Sequence, residues 1–93
     1  MSTTSESAAG DENQHHVYIV ECSDGSYYTG YTTDVDRRVE EHNDGRGAKY
    51  TRGRAPVELV YVETFGTQSE ALQREHTIKA LHRGAKESLV QDD

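Results

Sequence analysis

The chain has 93 residues, 32% hydrophobic and 29% charged, which suffices for one small domain with a modest core and excludes a second. Its formal net charge is -7, and its single cysteine, Cys22, excludes an intramolecular disulfide or a cysteine-built zinc site. No apolar run approaches the ~20 residues of a membrane span and the N-terminus lacks the basic and apolar regions of a secretory signal, so a soluble cytoplasmic protein is expected.

Residues 1–14 are small, polar and aperiodic, and read as a disordered acidic tail ahead of a domain over 15–91. His15 and His16 follow. Neighbours on a strand point to opposite faces, so the pair is a poor chelate. A first strand is expected from about His16 to Cys22, with Tyr18, Val20 and Cys22 on one face and Val17 and Ile19 on the other. Asp24-Gly25 is a turn signal, and a second strand over about Tyr27 to Tyr31 completes an antiparallel hairpin. Gly30 within it marks a bend or a close approach to the backbone.

Thr32, Thr33 and Asp34 are all good N-caps for a helix that Asp44-Gly45 ends. Val35, Val39 and His42 form one stripe of that helix, with Arg38 beside it. The loop over 45–56 carries Arg46, Lys49, Arg52 and Arg54, a lone Tyr50 and no acid, a basic patch inside an acidic protein. Val57 to Phe65 is the most β-prone run and the expected central strand. Thr67 and Glu70 fit a capping box, which predicts a helix over about Gln68 to His82 with Gly84 just past its end. Ala71, Leu72, Ile78 and Leu81 define its apolar arc, and Glu75 projects into that arc. A last short helix, about Ala85 to Val90, covers the core with Leu89 and Val90. The expected fold is α+β, a small three-stranded antiparallel β-sheet with helices packed on it, in the order β-β-α-β-α-α.

Five residues are out of place as pure structure: Tyr18, Tyr28, Arg38, His42 and Glu75. Singly, each has an ordinary reading as packing, a solvated helix face or an ion pair. Together they form a pattern. Val17-Tyr18, Tyr28-Thr29-Gly30, Arg38 eight residues after Gly30, His42 one turn later and Glu75 on the later helix resemble the GIY-YIG nuclease superfamily. The turn Asp24-Gly25-Ser26, the run from Gly47 to Gly53 and the run from Pro56 to Tyr61 are similar to its compact single-domain branch, the UPF0213-like proteins. His16 stands where the first motif has glycine, and no asparagine follows Glu75.

The resemblance implies a metal-dependent endonuclease that hydrolyses DNA phosphodiester bonds, structure-selective or nonspecific, in DNA repair or recombination. Tyr18 would be the general base or carry the water's proton onward, and a phenol needs a nearby proton acceptor for that. His42 would accept or relay the proton, Tyr28 would orient water or phosphate, and Arg38 would bind the scissile phosphate. Glu75 would hold one Mg2+ or Mn2+. Arg46, Lys49, Tyr50, Arg52, Arg54 and Lys79 would contact DNA, including branched or single-stranded regions, although Lys79 is equally suited to pair with Glu75.

Two other functions remain open at this level. One is a nucleic-acid-binding module of the same fold, non-catalytic or dependent on a protein partner for targeting. The other is a protein-interaction domain. Arginine outnumbers lysine seven to three on an acidic background, which suggests adaptation to a salty cytoplasm.

Overall fold

The structure is a computed structural model that describes residues 14–91, so the tail expected over 1–14 lies almost wholly outside the described residues. Its elements are β1 (His15–Glu21), β2 (Tyr27–Thr32), α1 (Val35–Asn43), a 3-10 turn (Lys49–Thr51), β3 (Glu58–Phe65), α2 (Gln68–Lys79) and α3 (Arg83–Gln91). Type and order agree with the expected α+β arrangement. The three strands are antiparallel in the order β2-β1-β3.

That order corrects one expectation. The central strand is β1, and the β-prone run of β3 forms an edge. Intrinsic β-propensity does not distinguish edge from centre, whereas burial on both faces does. Val17-Tyr18-Ile19-Val20 is an uncharged run with no residue more than 1% exposed. In β3, by contrast, Glu58 and Glu63 interrupt the apolar pattern and Leu59 and Val62 remain exposed.

Each face of β1 starts its own core. Val17 and Ile19 pack with Ala71 and Ile78 of α2, while Tyr18, Val20 and Cys22 pack with Val57, Tyr28 and Val39. The expected division of faces therefore holds. No helix among the described residues is long and apolar enough to cross a membrane.

Local chemistry fixes the helix that bears Arg38 and His42. Asp34 caps α1 by accepting the Arg37 N–H at 3.1 Å. At the other end Gly45 adopts φ +80°, and its N–H and that of Arg46 close onto the carbonyls of His42 and Glu41. The Asn43 side chain then bonds the backbone of Val57 in both directions, at 2.6 and 3.3 Å. This pair draws together the two ends of the basic loop.

α2 stops at Lys79, three residues before the expected end at His82. His82 instead caps the next helix, its Nδ1 accepting the Ala85 N–H at 3.3 Å. Gly84, expected beyond the helix, lies inside α3, where a Cβ would stand 3.2 Å from the His82 ring. Leu72, expected in the apolar arc, is 41% exposed. The arc is narrow: Ala71 and Ile78, two turns apart, point into the core, and Leu72 lies 100° away from Ala71. A paired contact compensates, since Arg74 meets both oxygens of Glu63 on β3 at 3.0 and 3.1 Å.

Among the described residues one buried side-chain polar group is left over. The Thr29 hydroxyl, opposite Ile19, is buried without a hydrogen-bond partner. A buried unsatisfied hydroxyl costs about 1–3 kcal/mol. Thr29→Val, which keeps the shape, is expected to raise the melting temperature by at least ~4–8 °C. An unchanged or lower melting temperature would show that the hydroxyl is satisfied.

Candidate active site

The site grows from the centre of the sheet. Tyr18 on β1 faces Gly30 on β2, and its ring lies across that glycine, since a Cβ there would stand 2.5 Å from the Tyr18 hydroxyl. Gly30 is thus a close approach, and the group approaching is the tyrosine itself. Tyr28, two residues earlier, shares the face. Its ring centre lies 6.3 Å from that of Tyr18 and 5.3 Å from that of His42.

His42 is fully buried beneath these rings. Its Nε2 lies 2.7 Å from the Tyr18 hydroxyl, and its Nδ1 lies 2.7 Å from Thr51 Oγ1. The direction of the chain follows from one proton. Thr51 donates its only hydroxyl hydrogen to the Ala48 carbonyl at 2.9 Å, so toward His42 it can only accept. In the tautomer assigned from that bond, Nδ1 carries a hydrogen, Nε2 of the neutral ring is bare, and the Tyr18 hydroxyl donates to it. Gly47 makes room for this arrangement, because a Cβ there would collide with the His42 ring.

The electrostatics agree with that protonation. Burial, aided by the Arg38 cation, pulls the His42 pKa below its ordinary 6.5, which keeps the ring neutral at neutral pH. Burial pushes the Tyr18 phenol up to about 12, against an opposing pull from Arg38. A free tyrosinate is therefore scarce, and Tyr18 passes a proton only while handing its own to His42.

Arg38 stands one turn before His42, with its side chain 30% exposed. Glu41 holds it at 2.9 Å, raises its pKa further, and is itself pulled below the ordinary carboxylate value by Arg38. The fork borders a cleft of about 280 Å³ that Tyr31, Arg37 and Glu41 also line. On α2, Glu75 is 18% exposed and pairs with Lys79 at 3.3 Å, and the Lys79 ammonium lies 5.7 Å from the centre of the Tyr28 ring. Tyr18, Tyr28 and His42 thus come together, the charges of Arg38 and Glu75 both act on the Tyr18 phenol, and Lys79 is paired to Glu75, the second of its two readings.

The basic loop is less free than its sequence suggests. Arg46 pairs with Asp44 at 2.9 Å, and Arg54 pairs with Asp24 of the hairpin turn. Lys49 and Arg52 are exposed, and no carboxylate among the described residues pairs with either. Arg54 also lies 4.4 Å over the Tyr50 ring, which stacks on Tyr28 at 5.9 Å. The loop therefore presents an aromatic and cationic wall to the site.

Among the described residues no three His, Cys, Asp or Glu side chains cluster as a metal cage. A half-buried single carboxylate such as Glu75 nevertheless suits Mg2+ or Mn2+, hard cations that complete their shells with water and phosphate oxygens. Sequence reasoning missed Thr51, Glu41 and Asn43. Thr51 lay inside the run from Gly47 to Gly53, where its role has no local signature.

Fold and sequence together define the class. Residues 14–88 match the GIY-YIG catalytic domain, and the chain belongs to the GIY-YIG family. Within it the chain is similar to UPF0213 proteins. One from Halobacterium salinarum is 67% identical over 75 residues, covering 81% of this chain and 97% of that protein. One from Staphylococcus epidermidis is 58% identical over 80 residues, covering 86% and 98%. The solution NMR structure of the UPF0213 protein BH0048 from Bacillus halodurans aligns with a TM-score of 0.56 at 56% identity, over 84% of this chain and 83% of that one. That of the protein EF2693 from E. faecalis aligns at 0.59 and 47% identity, over 85% and 84%.

Proposed function

We propose that this protein is a metal-dependent endonuclease that hydrolyses DNA phosphodiester bonds in the cytoplasm, during repair or recombination. The observation that carries this reading is the buried contact of the Tyr18 hydroxyl with His42, itself held by Thr51, a ready route for a proton away from an attacking water. Arg38, fixed by Glu41, supplies a planar fork for the scissile phosphate. Tyr28 borders the same face and orients the water or the phosphate. Glu75 would hold Mg2+ or Mn2+, which when bound neutralises phosphate charge and polarises water.

The protein needs no ionised tyrosine for this. As water gives a proton to the Tyr18 oxygen, the phenol proton moves to His42 Nε2, and the imidazolium keeps its Nδ1–H bond to Thr51. The reading is tested on supercoiled plasmid and on flapped DNA with Mg2+ or Mn2+. Nicked or cut product that disappears with a chelator is expected, and no product from folded protein would overturn it.

A second reading, a nucleic-acid-binding module that cuts only with a partner, has one observation in its favour. Two of the four loop cations are already held by Asp44 and Asp24, so the grip on DNA is thin. Under that reading the partner supplies targeting, and cleavage appears only when it is added.

The acidic surface fits a protein adapted to a salty cytoplasm. Three similar UPF0213 proteins come from Halobacterium salinarum, Haloquadratum walsbyi and Natronomonas pharaonis. The melting temperature is expected to rise as salt is raised to molar levels, because screening relieves repulsion across an acidic surface. A flat or falling melting temperature would remove this idea.

A further inference from the structure

Beside the catalytic face, a cleft of about 180 Å³ opens between the hairpin turn, the 3-10 turn and the start of α3. Ser26, Tyr27, Tyr50, Arg83 and Lys86 line it. Two tyrosine rings and two cations thus meet in one small space. It is smaller than the ~300–1,000 Å³ that engulfs a drug-sized ligand, and it suits a single flat ring with an anionic group attached.

The cations are arranged rather than scattered. The Arg83 guanidinium lies 4.7 Å from the centre of the Tyr27 ring. Glu87 accepts from Arg83 Nε at 3.1 Å, and among the described residues neither terminal nitrogen of that guanidinium has a partner. Tyr50, 43% exposed, is the wall shared with the active site, since it stacks on Tyr28 at 5.9 Å. Tyr27 and Tyr28 are chain neighbours on β2, so the cleft and the catalytic face are the two sides of one strand end.

We propose that this cleft is a subsite for one unpaired nucleotide flanking the scissile phosphate, its base against Tyr27 with the edge of Tyr50, whose ring Tyr28 and Arg54 already contact, as the side wall, and its phosphate on Arg83 and Lys86. The inference rests on the nuclease reading and narrows its substrate class to DNA with an unpaired nucleotide at the cut. A base inside a duplex is already stacked and paired, whereas a splayed base presents a face to aromatic side chains.

Binding can be measured without cleavage, by fluorescence anisotropy of the full chain in the absence of divalent cations. The probes are a short labelled oligothymidylate, its abasic analogue with the same phosphates, and a blunt duplex of the same length. The protein is expected to bind oligothymidylate about tenfold more tightly than the abasic analogue, the scale of one base stacked on an aromatic ring. Arg83→Gln with Lys86→Gln should lose about tenfold on oligothymidylate and less than about twofold on the duplex, in keeping with contacts at a single subsite. Lys86→Gln alone keeps the Arg83–Glu87 pair and guards against a folding defect in the double variant.

Equal affinity for the abasic analogue would reduce the cleft to a phosphate contact and overturn the proposal. An equal loss on duplex, or no loss on oligothymidylate, would overturn it as well. A failure of the nuclease reading is seen separately, as the absence of metal-dependent product, and leaves this binding result intact.

Discussion

Replacing Glu75 with glutamine is expected to lower metal-dependent DNA cleavage by at least ~10²-fold, the scale of removing one preorganised electrostatic group, while DNA affinity without metal stays within about twofold. Glutamine keeps the size of the side chain and removes the charge that a hard cation requires. The fold should tolerate the change, because among the described residues Glu75 pairs only with Lys79, half exposed on the same helix, and such pairs contribute little to stability. The Arg74–Glu63 pair one residue away still holds α2 against β3. Mn2+ binding followed by electron spin resonance in the presence of DNA gives a readout independent of turnover, and the variant should lose it. Full cleavage by Glu75→Gln would mean that the cation is held elsewhere or is not needed.

Tyr18→Phe is expected to slow cleavage by ~10²–10⁴-fold, the range of a lost general acid–base group. It also strands a buried acceptor, His42 Nε2, so a stability loss of about 1–3 kcal/mol should accompany it. The two effects are separable, because the rate can be measured well below the melting temperature. The pH dependence follows from the two environments. His42 ionises below its ordinary 6.5, so it stays a competent acceptor through neutrality and the acid limb of the rate profile should lie below about pH 6.5. Stability has the matching sign: the unfolded chain takes up a proton that the folded His42 refuses, so this contribution is present above about 6.5 and is lost as pH falls through the lower folded value. An acid limb above pH 7 would contradict a neutral buried relay.

Much of the fold was legible because its signals are local. Asp24-Gly25 turned the hairpin, Asp34 capped α1, Gly45 ended it and Thr67 started α2, each through chemistry contained within a few residues. The errors came where a tertiary contact decided. Val57 to Phe65 carries more β-propensity than β1 but lies at an edge, and Leu72 follows the apolar period of a helix whose buried arc is narrower than its pattern.

The site divides in the same way. Tyr18, Tyr28, Arg38, His42 and Glu75 were visible as a spaced set only through resemblance to a family. Thr51 was not, because its role depends on a loop folding back nine residues to meet His42. Nothing local sets Glu41 apart from the other acids of its helix, and its role rests on the contact with Arg38. The pairing within the basic loop is not visible in its own sequence, since the acids that meet Arg46 and Arg54 lie outside it.

The central claim is that Tyr18 and His42 act as one proton-transfer unit, and a double-mutant cycle on single-turnover cleavage tests it most directly. Tyr18→Phe, His42→Ala and the double variant are compared with the parent on one flapped DNA substrate, with circular dichroism confirming that each is folded at the assay temperature. If the two groups form one relay, the double variant cuts no more than about twofold slower than the slower single variant, because the second change removes a step already lost. If the losses multiply, the two residues act independently and the relay is wrong.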